Sequence, residues 1–220
     1  MIRNVSNTSN ARNVCLFFLG KAALSQYEMS RRPRGICLII NNLKFHDRTS
    51  DREGAEFDET EVVKLFEELS FAVCVNKNLE WDEMRKVAAK FAAKDHSQFD
   101  AFVFIVMSHG GDGDVIFGVR GRYIIVEDLM AEFNTANCLT LQNKPKLFFI
   151  QTCRGSSLER RSPICGGTDS YAPYSPDSTL PRSVGPQEAD FLLAFATAPG
   201  YVAWRNRQNG SPFIQVNRNK

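Results

Sequence analysis

The 220-residue chain has no apolar run approaching the roughly 18–20 residues of a membrane span. Its best N-terminal candidate, Val14 to Leu19, is about six residues long and followed by Lys21, too short for a convincing signal peptide. None of the six cysteines (Cys15, Cys37, Cys74, Cys138, Cys153, Cys165) forms a C-x-x-C pair, so a zinc site has no support and no metal or cofactor is expected. Without an export signal the thiols are expected to stay reduced, in a cytoplasmic protein. Charge of one sign is scarce too: Lys+Arg is 27 against Asp+Glu 25, a net charge of +2. That speaks against a dedicated nucleic-acid binder, and neither nucleic acid nor membrane is expected as a partner. What remains is ordinary: 43% hydrophobic and 24% charged residues, excluding collagen, coiled coil and disordered tail. The length suits one domain, or two small ones, and a single core can remove roughly 70% of the unfolded surface from water.

Residues 1–34, rich in Asn, Ser and Arg and lacking periodicity, read as a mobile leader. Ile36 to Ile40 is a continuous apolar run, as expected of a strand buried on both faces. Asn41 to Gly54 reads as a long loop. Val62, Leu65, Phe66 and Leu69 recur at helical spacing between Asp58 and Leu69. Further strands are expected at Phe71–Val75, Ala101–Met107, Tyr123–Ile125, Lys146–Ile150 and Phe191–Thr197, and helices at Trp81–Phe91 and Val126–Phe133. Residues 155–187 hold Gly, Pro, Ser and Asp without period, a loop or linker. Phe213 to Val216 begins another helix or strand. Alternating strands and helices imply an α/β fold with a mainly parallel sheet flanked by helices, in which ligands sit beyond the carboxyl ends of strands.

Two reactive side chains stand there. Ser108-His109-Gly110-Gly111 follows one strand and Gln151-Thr152-Cys153-Arg154-Gly155 another. A thiol of ordinary pKa about 8.5 needs a nearby base to become a nucleophile, and histidine is the usual one. Flanking glycines let backbone approach a substrate and aim amides at an oxyanion. A buried structural cysteine with an unrelated histidine fits the spacing equally well. Of the other histidines, His46 reads as solvated or structural and His96 as a surface or helix-end residue. Asp112 and Asp114 in a Gly-rich turn are explained by turn chemistry rather than calcium.

Gln151 to Gly155 differs at one position from the caspase signature Gln-Ala-Cys-(Arg/Gln/Gly)-Gly, whose histidine lies about 50 residues upstream. Here His109 precedes Cys153 by 44 positions. Pro33-Arg34-Gly35 with Leu38 to Asn42, Phe104 to Gly110, Ala189 to Leu192, Ala198 to Tyr201 and Ala203 to Asn206 also resemble caspase segments, in order, across about residues 27–216. The resemblance implies a three-layer caspase-like fold. It implies Cys153 as nucleophile, His109 as general acid/base, the amides of Gly110 and Cys153 as oxyanion hole, and Arg52, Gln151 and Arg205 as the pocket for a substrate aspartate. Arginine stays protonated and presents a planar fork that suits a carboxylate.

In these terms residues 1–34 are a short prodomain, 35–154 a large catalytic subunit, 155–187 an intersubunit linker and 188–220 a partial small subunit. The leader is too short for an adaptor-binding helical bundle, which points to an executioner-like or short-leader member. Asp169, before Ser170, and Asp177 are candidate processing sites in a zymogen. Thr152 replaces the usual Ala, and Ala203 and Pro212 stand where a Ser and an aromatic are more frequent. Caspase small subunits continue beyond Phe213-Ile214-Gln215. The resemblance therefore implies an Asp-directed thiol protease of programmed cell death, acting on proteins with an exposed Asp. The alternative is a truncated, weakly active or inactive form that binds and regulates full-length caspases. Dimerisation and association with inhibitor proteins are expectations of the same origin.

Overall fold

The computed structural model describes residues 27–46, 49–158, 167–168 and 189–215. Its centre is a five-stranded sheet of β1 (Gly35–Asn41), β2 (Ala72–Lys77), β3 (Ala101–Met107), β7 (Lys146–Gln151) and β9 (Phe191–Phe195). The spatial order is β2-β1-β3-β7-β9 and every pairing is parallel. The two central strands, GICLIIN and AFVFIVM, are buried at every position. Their unbroken apolar runs are the signature of strands covered on both faces.

On one face Leu38, Ile40, Phe102, Phe104, Phe148 and Ile150 pack against α2 (Trp81–Ala92) and α3 (Val126–Ala131) through Met84, Ala88, Phe91 and Leu129. Phe133 anchors that layer, stacked on Phe102 at 4.3 Å and edge-on to Phe104 and Phe148. Truncating a buried phenylalanine of this kind costs roughly 3–5 kcal/mol. On the other face Cys37, Ile39, Val103 and Ile105 meet Val62 and Phe66 of α1 (Ala55–Glu68), with Ile214 of the short α4 (Pro212–Gln215) beside them. The architecture is thus three-layered, as expected. Helix α2 begins with a reciprocal cap, the Glu80 amide donating to Glu83 Oε2 at 2.8 Å.

Several small elements were not expected. Gly110–Gly111 forms β4, which pairs antiparallel with β5 (Val115–Phe117), and β5 pairs in turn with β6 (Tyr123–Ile125), a strand that was expected. Trp204–Arg205 forms β10, antiparallel to β8 (Gly167–Thr168), the latter inside the stretch read as linker. Strands of two or three residues carry no readable alternation. Strand β9 stops at Phe195, short of Thr197, whose carbonyl instead accepts from Arg154 Nη1 at 3.4 Å.

Two expectations are corrected. The end of the supposed mobile leader is tied down: the Arg31 amide donates to Asp100 Oδ2 at 2.7 Å and the Arg34 amide to the Ser70 carbonyl at 2.8 Å. His96 is a helix-end residue but not a surface one. It is fully buried, edge-on to Phe102 at 5.6 Å, with Nε2 2.8 Å from the Phe91 carbonyl of α2. Burial drives its pKa below the ordinary value and keeps the ring neutral.

Candidate active site

Arg52, His109 and Gly110, and Cys153 follow strands β1, β3 and β7 in the chain, Gln151 is the last residue of β7, and Arg205 lies in β10. His109 follows β3 and Cys153 follows β7, whose ends are paired Met107 to Gln151. The two loops touch through their backbones. A Cβ added at Gly110 would lie 2.4 Å from the Cys153 carbonyl oxygen and 2.7 Å from Thr152 Cβ. Only glycine permits that approach.

The imidazole is oriented. His109 Nε2 sits 2.9 Å from the Ser50 carbonyl oxygen, and the ring packs against Phe45 with centroids 4.6 Å apart. A carbonyl can only accept, so Nε2 carries the proton and Nδ1 is the basic nitrogen of the neutral ring. Ser50 escaped sequence reasoning because its contribution is a backbone carbonyl, which no side chain announces.

Cys153 is fully buried, in a small cluster with Val202 and Ala203. The Ala203 amide donates to its Sγ at 3.2 Å. Burial pushes the thiol up to about 12, against the pull of that amide and of the positive charges of Arg52 and Arg205. Both guanidiniums are almost wholly buried. Arg52 Nη1 donates to the Asn42 carbonyl at 2.9 Å and to Asn41 Oδ1 at 3.3 Å, and Arg205 Nε to the Glu53 carbonyl at 2.8 Å. Burial lowers Arg52 to about 10. Burial and the charge of Arg52 lower Arg205 to about 9. The two cations thus share one low-dielectric region with the sulfur.

Gln151, at the end of β7, is fully buried, and neither Oε1 nor Nε2 has a hydrogen-bond partner among the described residues. An unsatisfied buried polar group of this kind costs about 1–3 kcal/mol and calls for an explanation.

Asn42 is a second hub, one that no pattern in the sequence singles out. Its amide Nδ2 donates to Ser108 Oγ, the Phe117 carbonyl and the Leu79 carbonyl at 3.1–3.2 Å, while Oδ1 accepts from the Leu79 amide. It locks the residue that follows β1, whose carbonyl accepts from Arg52 Nη1, to the loop that carries His109. Asp114 is engaged as well, Arg154 Nε and Nη2 donating to its two oxygens at 2.6 and 2.8 Å. His46 is exposed. Pro212 opens α4. Asp169 and Asp177 lie outside the described residues.

Fold and site together define a parallel-sheet α/β protein in which a thiol, an imidazole and two buried guanidiniums stand around the loops that follow the strands. A profile of the Caspase domain matches residues 34–216. Caspase-3 of Bos taurus is 39% identical over 193 residues, covering 86% of this chain and 66% of that protein. Caspase-3 of Mus musculus is 39% identical over 194 residues, with 87% and 66% covered. Caspase-8 of Mus musculus is 34% identical over 199 residues, covering 86% of this chain and 41% of that protein. The chain belongs to the caspase family, and it spans a little under two thirds of the length of the caspase-3 relatives it matches.

Proposed function

We propose that this chain is a cysteine endopeptidase of the apoptotic machinery, cleaving proteins after aspartate in the cytoplasm. The observation that carries the reading is the burial of Arg52 and Arg205 beside Cys153, with the unpartnered Gln151 amide two residues before the thiol in sequence. Buried cations that repel one another are stabilised by an anion, and an arginine fork fits a carboxylate. Caspase-3 and caspase-8 relatives support the assignment.

In the reaction His109 Nδ1 takes the proton of Cys153, and Sγ attacks the main-chain carbonyl carbon of the bound aspartate itself. The amides of Gly110 and Cys153 stabilise the oxyanion. The C–N bond breaks as His109 returns the proton to the leaving amine, giving a thioester. Water, deprotonated by His109, then hydrolyses the thioester and the thiol regains its proton. The thiol must first lose its cover. In the closed arrangement the Ala203 amide occupies the sulfur, and residues 202–203 have to move before a substrate carbonyl reaches it.

That burial favours a zymogen form, cut at Asp169 or Asp177 in the 155–187 linker. It equally favours a second reading, a weakly active form that binds and regulates other caspases. Purified protein assayed on Asp-ending fluorogenic peptides, beside Cys153→Ala, tests the first. Equal signals from the two refute the enzyme. Co-migration of the protein with another caspase and suppression of that caspase's activity would mark the second. An Asp169→Ala chain processed like wild type refutes that cleavage site.

A further inference from the structure

One buried carboxylate stands outside the machinery just described. Asp58 lies in the first turns of α1 and is fully buried. In sequence it is one of several acids on an amphipathic helix. In space it faces away from solvent, toward the loop that follows β10. Its Oδ1 accepts from the Ser211 amide at 2.7 Å and from Gln215 Nε2 at 3.1 Å, and Oδ2 accepts from Ser211 Oγ at 2.5 Å. The hairpin end is shaped around it: Gly210 has φ +84°, and a Cβ there would lie 2.2 Å from Asp58 Oδ1.

Its charge reaches both pocket arginines. Asp58 stabilises the protonated forms of Arg52 and Arg205, which come from different parts of the chain. Burial raises the pKa of Asp58, and the donors of Ser211 and Gln215 and the charge of Arg52 work against that rise, toward the ionised carboxylate. Two guanidiniums and one carboxylate leave a region of net charge +1, which a single anionic side chain neutralises.

We propose that Asp58 is a positioning residue of the anion pocket, the internal counter-ion that keeps Arg52 and Arg205 assembled before an anionic side chain arrives. The inference rests on the reading that this pocket takes the substrate aspartate. Without the carboxylate the two cations repel in a low-dielectric site, and arrangements with Arg205 displaced gain population. A ligand then binds only the fraction that remains competent. Hydrogen bonding through Ser211 and Gln215 also ties the β10 hairpin to α1, so the same group sets both the charge and the distance between the guanidiniums.

The test replaces Asp58 by Asn, nearly isosteric but uncharged, in the full chain. Turnover is followed on an Asp-ending peptide, and Kd for that peptide is measured by calorimetry in a Cys153→Ala background. The expected result for Asp58→Asn is a rise of at least about tenfold in KM and Kd, with kcat changed less than about threefold. A merely structural hydrogen-bonding role predicts no such split, since Asn can still accept from the Ser211 amide. Unchanged or tighter binding overturns the inference alone. A wild-type protein that neither cleaves nor binds the peptide overturns the functional reading and this inference with it. Should Asp58→Asn not fold, Ser211→Ala keeps the question open to refutation. Losing a donor raises the pKa of Asp58, so the acid limb of the KM profile, with Arg52 and Arg205 as the charged neighbours, shifts to higher pH. An unshifted limb overturns the proposal.

Discussion

Gly110→Ala is the most direct probe of how the two reactive loops are held. The added methyl group would meet the Cys153 carbonyl oxygen at 2.4 Å, Thr152 Cβ at 2.7 Å and the Val115 carbonyl oxygen at 2.8 Å, where ordinary contact begins near 3.4 Å. Two of these neighbours are backbone atoms of β5 and of the Cys153 loop, and none is the end of a flexible side chain. The loops must therefore part by about 1 Å, a displacement that costs on the order of 10²-fold in rate when it separates catalytic groups. Overpacking adds roughly 1–3 kcal/mol of destabilisation. For a domain of this size that is a fall in Tm of about 2–12 °C. The assay pairs kcat/KM on an Asp-ending peptide with calorimetric Tm. Gly111→Ala is the control, because its Cβ would meet only side-chain atoms, at 3.5 and 3.7 Å. It should stay within about 0.5 kcal/mol of wild type. Gly110→Ala with wild-type rate and Tm, or Gly111→Ala equally damaging, would refute the argument from backbone contact.

Other consequences follow from groups outside the pocket. The Arg154–Asp114 fork is mostly buried, with side chains 14% and 23% exposed, so a double-mutant cycle in urea should give a coupling of about 1–3 kcal/mol. A value near zero would mean that the fork is incidental. His96 is held neutral by burial, its folded pKa lying below the ordinary 6.5. As pH falls through about 6.5 the unfolded chain gains a proton that the folded one refuses, so stability drops on acidification by up to about 1.4 kcal/mol per pH unit. Urea unfolding at pH 7 and 5.5 should show that loss in wild type and a shallower one in His96→Gln; parallel slopes would refute it.

The sheet was legible because its central strands carry their burial in the sequence. Ile36–Ile40 and Ala101–Met107 have no polar interruption, and only a strand buried on both faces looks so. Cys153, His109 and Gln151 were legible because strand ends in a parallel sheet converge, so linear motifs become neighbours. What stayed hidden acts through backbone or through several partners at once. The Ser50 carbonyl and the Ala203 amide belong to residues whose side chains play no part. Asn42 looks like any polar residue after a strand end until its contacts to Leu79, Ser108 and Phe117 are seen in space. His96 was misplaced because a polar residue between Asp95 and Ser97 resembles surface, whereas the carbonyl at the end of α2 and the ring of Phe102 draw it inward. The buried state of Cys153 was equally unreadable, since it depends on residues 50 positions away.

The pairing of β9 with β7 bears on what a break in the chain means. Five residue pairs, from Lys146 with Phe191 to Ile150 with Phe195, join segments on either side of the 155–187 stretch. Arg154 adds a cation over the Phe195 ring at 3.7 Å. Ladder and ring contact need no covalent bond between the two segments. Once the strands have zipped, a scission between residues 158 and 189 separates the polypeptide into two masses on a denaturing gel and leaves one particle on a native column. Heredity of the fold passes from the backbone to the hydrogen-bond ladder, and refolding of the cut protein becomes second order in concentration where that of the intact chain is first order.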